Sequence, residues 1–440
     1  MYSNKHIARI SAPIFLSLLA QNMIQVIDTA FLGRVGEVEL GASALAGIIY
    51  IAVYTLGFGF SMGSQILIGR RNGEKNYKQI GDIVIQGAIF LFIPAVLLIP
   101  ILRYGAVNWL PGLFESADVG RAVAEYLEWR VFGLIFAFTN LMFRAFFIGI
   151  ARTKVLTINA VVMGLVNVVF DYGLIFGNFG MPELGIGGAA IASVIAEISS
   201  TLFFFFYLNK KVDLEKYGFN KIRFQFSVIK RTLDLSIFMM FQYLFSVSTW
   251  LLFFLFIENY MGERSLAVTN VVRSLYTVVT IPSHAIGSAS STLVSNTIGA
   301  SRQGEVLNLV KRLSLISIGV MLVMIIIISV MPRLVIHIYT DNPLLIEEII
   351  APLFVMLSAL PFYSVGSVLF NSVSGTGNTK TALKMEIISL LFYVSYMWFI
   401  IVYLRSSVAV AWTTEHVYWV LLTVLPLIYL RSGKWKERNI

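Results

Sequence analysis

Apolar residues in this chain come in long unbroken runs rather than in the narrow stripes of a water-facing helix. Runs long enough to cross a bilayer fall at roughly 10–32, 42–68, 80–103, 122–149, 154–177, 185–208, 234–258, 266–298, 309–331, 347–374, 383–404 and 408–430. About 20 apolar residues of helix cover a hydrocarbon core of about 30 Å, so the pattern predicts twelve transmembrane helices joined by short connections. The longest polar connection, LNKKVDLEKYGFNKIRFQFSVIKR, separates the sixth run from the seventh. The expected architecture is an all-α polytopic membrane protein. Residues 1–208 form one six-helix bundle, 209–230 a linker, and 231–440 a second six-helix bundle.

The two halves repeat. At an offset of 226 positions Gly36-Glu37 falls on Gly262-Glu263, Leu40 on Leu266, Tyr50 on Tyr276 and Gly73 on Gly299. Gly149 falls on Gly375, and Thr153-Lys154 on Thr379-Lys380. Each match alone says little, because apolar sequence has few letters, but one offset holds without gaps from residue 36 to residue 154. Six spans per half bring both halves in from the same side. The two bundles are therefore expected to be pseudo-symmetric, a parallel repeat about an axis along the membrane normal, as is common among secondary transporters.

Composition agrees. The chain is 58% apolar and 13% charged, against about 45–50% and about 25% in a soluble domain. There is no cysteine, so disulfide and thiol chemistry are excluded. His6, His284, His337 and His416 have no metal-ligand spacing, and a cation site would have to be built from oxygen. The amino terminus MYSNKHIARI shows no cleavable signal pattern, so the first run is expected to be a retained span. A basic balance of +9 suits nucleic acid as well as a membrane, and its layout decides for the membrane. With the amino terminus placed in the cytoplasm, 24 of the 33 basic residues fall on the inner side, among them Lys221, Arg223 and Arg438. Six fall outside (Arg34, Arg103, Arg121, Arg264, Arg333, Arg405) and three within spans (Arg130, Arg144, Arg273). That bias predicts cytoplasmic termini; no nucleic-acid partner is expected.

An ionised Asp at the centre of a span costs roughly 3 kcal/mol on insertion scales. Asp28 and Asp171 both lie in spans that run outward, 18 and 17 residues past the respective starts at 10 and 154. They should sit at similar depth. Gln21, Gln25 and Asp28 share one helix face, as do Asn167 and Asp171. The returning sixth span brings Ser193 to about the same level. Two such carboxylates in low dielectric cannot both ionise cheaply; the pair takes up a proton, or holds Na⁺ together with Asn and Ser oxygens. The plainer alternative is that each Asp satisfies a polar group on a neighbouring helix. In the second half Phe254, Met397 and Tyr393 stand at the positions of 28, 171 and 167, so the ion site is expected in the first half alone.

Other intramembrane polar residues admit two readings each. Glu125 and Glu128 near the outer end of span four could be solvated, with Arg130 pairing one of them; Arg144 could snorkel to the inner surface. Glu197 shares a face with Ser193 and lines a cavity or pairs helices. Arg273, His284 and Glu386 are candidates for contacts between bundles or for a second-half lumen, and Glu415 and His416 carry the same ambiguity. Pro282 and Pro361 interrupt spans eight and ten and permit bending, as hinges or as static kinks.

Taken in order, these marks resemble the multidrug and toxic compound extrusion (MATE) family over essentially the whole chain. The resemblance rests on Asp28-Thr-Ala-Phe-Leu-Gly33 in span one and on Gly-Arg-Arg-Asn-Gly, residues 69–73, at the end of span two. Its partner is Asn296-Thr-Ile-Gly299 in span eight, and the loops Gly149-Ile-Ala-Arg-Thr-Lys154 and Gly375-Thr-Gly-Asn-Thr-Lys380 complete it. The DinF-like branch is the most similar. Its cation site uses an Asp in span one, an Asn and an Asp one turn apart in span five and a hydroxyl in span six, which here resemble Asp28, Asn167, Asp171 and Ser193. The NorM-like branch relies on acids in spans seven and ten, where this chain has Leu244 or a neighbour and Phe362. The resemblance implies the MATE fold, with two bundles in a V that rock between outward- and inward-open states. It also implies antiport, in which H⁺ or Na⁺ enters as an amphipathic, often cationic, drug leaves, with no cofactor. The expected setting is a bacterial or archaeal cytoplasmic membrane, with the protein acting as a monomer. A flippase for lipid-linked saccharides, a related fold, is the rival reading; it would need clustered cations to hold a pyrophosphate. No nucleophile–base motif of an enzyme is present.

Overall fold

The computed structural model describes residues 2–109, 116–220 and 224–436. Lys221, Arg223 and Arg438, counted above on the inner side, lie outside them, as does part of the 209–230 connection. The described residues are almost wholly helical, with no strand among them. The elements are α1 (Asn4–Val35), α2 (Glu37–Gly73), α3 (Lys78–Asn108), α4 (Ala117–Arg130), α5 (Gly133–Gly149), α6 (Lys154–Phe176) and α7 (Gly185–Lys211). Then come α8 (Phe226–Gly299), α9 (Val306–Val330), α10 (Pro332–His337), α11 (Pro343–Gly375), α12 (Thr379–Trp398), α13 (Val408–Ala411) and α14 (Thr414–Ser432).

Among the described residues ten helices are long and apolar enough to cross a membrane, and a bent pair, α4 and α5, is so when taken together. The 74 residues of α8 would reach about 110 Å as one straight rod, several times a bilayer core. Gly262, at φ 83 and ψ 174, breaks it into arms 226–261 and 263–299. That yields the twelve spans expected from the apolar runs. The fourth is not the straight helix implied by the run 122–149: it bends by 54° between α4 and α5. No proline stands there. The bend lies beside Gly133, where an added Cβ would come within 2.3 Å of both Arg130 Nη1 and Glu197 Oε2.

The 226-residue repeat is written into the backbone. Lys75 (φ 60) pairs at that offset with Ser301 (φ 59), Ala151 (φ 57) with Gly377 (φ 90), and Phe179 (φ 58) with Arg405 (φ 48). The first pair follows the ends of α2 and of α8, the second those of α5 and α11. A left-handed residue there lets a later amide return to the orphan carbonyls of the last turn. Asn76 N–H donates to Arg71 O at 2.9 Å and Arg302 N–H to Thr297 O at 3.0 Å, again 226 apart. Close helix crossings repeat too. A Cβ on Gly149 would fall 3.2 Å from Gln65 O of α2, and one on Gly375 2.4 Å from Ser291 O of α8; Gln65 and Ser291 are the same position of the repeat.

The chain folds as two compact units, Leu16–Met240 and Met1–Phe15 with Phe241–Ile440. In the first, Phe60, Leu134, Phe138 and Met142 form one core cluster, and Leu32, Val123, Ile175 and Ile186 another. The second is built on Phe253, Tyr276, Leu353, Met356, Tyr393 and Trp412. The helices run through Pro282 and Pro361 with no departure from helical backbone at either residue. Beside them, the Ser317 hydroxyl of α9 bonds Ser283 Oγ at 3.0 Å and Ser364 O at 2.9 Å, tying both proline-bearing helices to one side chain.

Candidate ion and ligand site

Within the unit Leu16–Met240 a cavity of about 290 Å³ opens between α1, α2, α4, α5, α6 and α7. Helical spacing decides which side chains reach it. Spacings of four and three put Gln21, Gln25 and Asp28 of α1 on its wall, and a spacing of four puts Asn159, Met163 and Asn167 of α6 there. Ser193, Glu197 and Ser200 come from α7, Tyr50 and Tyr54 from α2, Arg130 from α4, and Asn140 and Arg144 from α5.

Asp171 lies directly behind this wall, fully buried at 0% exposure, with its carboxyl facing that of Asp28 at interaction distance. Ionised carboxylates only accept hydrogen bonds, and neither can donate to the other. Asp28 Oδ1, both oxygens of Asp171 and Asn167 Oδ1 accordingly sit buried with no donor. A buried polar atom left so costs roughly 1–3 kcal/mol. Four acceptor oxygens grouped in this way call for a positive charge: a shared proton, or a hard cation with oxygen ligands.

The middle of the cavity is occupied by a closed ion pair. Arg130 holds Glu197 through Nη1 to Oε2 at 3.0 Å and Nη2 to Oε1 at 2.6 Å. Its guanidinium lies 3.8 Å from the Tyr50 ring centroid, and the Tyr50 hydroxyl donates to Glu197 Oε1 at 3.2 Å. Asn140 Nδ2 donates to the Glu197 carbonyl at 3.0 Å, and Asn140 Oδ1 accepts from the Thr201 hydroxyl at 3.0 Å. Arg130 is therefore not the partner of Glu125 or Glu128; Glu128 instead binds Arg103 at 2.5 Å. Sequence spacing hides the Arg130–Glu197 pair, because its members stand 67 residues apart.

The second unit differs. Phe254 lines a separate cavity of about 300 Å³ with Trp250, Arg273, Tyr276, Thr277 and Thr280. The Arg273 guanidinium lies over the Phe254 ring at 5.3 Å. Met397 and Tyr393, the counterparts of Asp171 and Asn167, are buried in the core. So of the wider set of expected lining residues, Gln21, Gln25 and Glu197 gather with Asp28, Asn167 and Ser193, while Arg273 lines the other cavity and His284 neither. Glu386 and Glu415 are buried carboxyls held by neutral donors. Tyr418 reaches Glu386 at 2.6 Å, and Tyr276 and Trp419 each reach Glu415 at 3.1 Å. Among the described residues no three His, Asp or Glu side chains converge as a metal cluster.

Comparison with known proteins gives consistent relatives. The MatE family model matches residues 13–173 and again 239–399, two stretches offset by the same 226 positions as the internal repeat. The probable multidrug resistance protein NorM of Thermotoga maritima is 24% identical over 441 residues, covering 99% of this chain and 94% of that protein. That of Bacillus cereus is 31% identical over 182 residues, 41% of this chain and 40% of its own length. A multidrug resistance MATE family transporter of the MOP superfamily, solved in an outward-facing conformation, superposes with a TM-score of 0.90 at 16% identity, over 99% of this chain and 97% of that one. A MOP superfamily transporter from Pyrococcus furiosus, described as having a binding pocket of reverse polarity, superposes with a TM-score of 0.86 at 16% identity, over 98% and 95%.

Proposed function

Since the chain belongs to the MatE family, whose members are transporters and not enzymes, we propose that it is a secondary active exporter of amphipathic small molecules, driven by inward movement of H⁺ or Na⁺. The observation that carries this reading is the group of donorless oxygens on Asp28, Asn167 and Asp171 at the edge of a cavity. Ser193 lies on the same wall and adds a hydroxyl ligand. The ion is cargo here: it binds, is released on the other side and must leave the pair again.

Coupling follows from charge. Without a cation, the facing carboxylates favour an arrangement that keeps them hydrated; loaded, they can be closed over by apolar helices at much lower cost. A ligand shifts a conformational equilibrium only through its different affinity for the two states, and this pair supplies such a difference. A cationic group on the exported molecule competes with the ion for the same oxygens, so loading by one releases the other. That is antiport by alternating access. The setting is a bacterial or archaeal cytoplasmic membrane, with both termini inside and the ion site in the first half. A lipid pyrophosphate carrier fits less well, because one of the two arginines in the cavity is already neutralised by Glu197.

The test is efflux from proteoliposomes with pH and Na⁺ gradients imposed separately, on wild type and on Asp28→Asn. Wild type should respond to at least one gradient and the variant to neither; full gradient-driven efflux in Asp28→Asn removes the role assigned to the pair.

A further inference from the structure

The cavity's fixed charges are sorted along its length. Asp171 stands five residues before the end of α6, and Asp28 faces it. Arg144 stands five residues before the end of α5, and Asn159 five residues after the start of α6. Only residues 150–153 join those two ends, so Arg144 and Asn159 share the end of the cavity opposite the acids. Asn159 and Asn167 are eight residues apart, about 12 Å of helix. Between the two ends, Arg130 and Glu197 cancel each other.

That leaves one charge at the far end. Arg144 is half-buried, lines the cavity together with Tyr54, and has no acidic partner among the described residues. Its place is on the cavity wall. Asn140, Asn159 and Ser200 stand beside it on that wall, and Asn159 Nδ2 donates to Ser200 Oγ at 2.9 Å. A guanidinium withdrawn from water without a counter-charge is costly, and its planar fork is matched by a carboxylate.

We propose that Arg144 is the recognition point for a carboxylate on the transported molecule, so that the preferred ligand is a zwitterionic amphiphile. Its basic end competes for Asp28 and Asp171, its acidic end forks onto Arg144, and its apolar middle lies against Tyr50, Tyr54 and Met163. This rests on the export reading for the basic end and adds the second contact. A cavity of this size takes a small drug-sized molecule.

The test uses two dyes that differ by one charge: rhodamine 110, a xanthene cation with a free carboxyl, and its methyl ester, rhodamine 123. Affinities are read by fluorescence anisotropy on purified full-length protein. Wild type should bind the acid about tenfold tighter than the ester, Arg144→Gln should bring the ratio to about one, and Arg144→Lys should keep part of it. Thermal unfolding checks that each variant is folded, and the wild-type ratio needs no variant at all. Equal affinities in wild type, weak binding of both dyes, or a ratio that survives Arg144→Gln overturns the proposal. Gradient-driven transport of the dyes is measured in parallel. If neither dye moves while the Arg144-dependent ratio stands, the export reading fails and the anion contact remains; if the ester is exported and the ratio is one, the reverse holds.

Discussion

At the scale of single residues, the informative side chains are polar groups in apolar helices, and their visibility in the sequence depends on how they are partnered. Asp28, Asn167, Asp171 and Ser193 could be brought to one level by counting residues along spans of known direction. The Arg130–Glu197 pair could not, because it crosses between α4 and α7 and depends on the 54° bend that no proline announces. It should also dominate local stability. Both members are nearly buried, at 12% and 8% side-chain exposure, and removing one partner of such a pair costs about 3–5 kcal/mol by leaving the other charge stranded. Arg130→Met should therefore lower the thermal midpoint in detergent more than the double change Arg130→Met with Glu197→Met. A single variant as stable as the double would show that the pair contributes no such constraint. Gly133→Ala should act in the same direction, because its methyl would meet both charged groups at 2.3 Å.

At the scale of elements, the repeat fixes helix ends more sharply than hydropathy does. Apolar runs located the spans but missed the polar first and last turns: α2 extends from Glu37 to Gly73, beyond the run 42–68. The residues that coincide at the offset of 226 stand at those ends in the structure: Gly36 and Gly73 bound α2, Gly149 closes α5 and Thr153 precedes α6. The repeat also sets up a reciprocal experiment. Ala151 and Gly377 occupy the same left-handed cap, at φ 57 and φ 90. An L-residue there costs roughly 1–2 kcal/mol that glycine avoids, partly offset by the freedom glycine brings to the unfolded chain. Ala151→Gly should be neutral to mildly stabilising, and Gly377→Ala destabilising by about 1 kcal/mol. Thermal midpoints moving in the same direction would show that the two caps are not equivalent. The close crossings behave differently. Gly375→Ala drives a methyl to 2.4 Å from a backbone oxygen, whereas in Gly149→Ala the nearest atom is the Ile68 side chain at 2.5 Å. Ile68 Cβ, at 2.8 Å, cannot turn away, so both changes should destabilise; Gly375→Ala should be the more damaging, because it meets three Ser291 backbone atoms within 3.0 Å whereas the nearest backbone atom at Gly149 is Gln65 O at 3.2 Å.

At the scale of the whole molecule, the placement of charge rather than of apolar residues carries the direction of insertion. Twelve spans are equally long whichever way they cross; the four-to-one excess of Lys and Arg on alternate connections breaks the tie, because moving basic residues across the membrane is what insertion avoids. The parity of the spans then ties each loop to its neighbours, so two positions in each half report how that half is oriented. The chain has no cysteine, which makes it its own blank background for labelling. Glu215 follows α7 and Arg431 closes α14, on the side expected to be cytoplasmic; Glu183 joins α6 to α7 and Asp341 precedes α11, on the opposite side. All four are exposed. In intact cells a membrane-impermeant maleimide should label Glu183→Cys and Asp341→Cys and leave Glu215→Cys and Arg431→Cys unlabelled until the membrane is opened. The reverse pattern would invert the protein and turn the proposed exporter's ion gradient the wrong way. A reversal of both sites in the second half alone would mean that the crossings between Glu215 and Asp341 are miscounted, as when the two arms of α8 do not each cross.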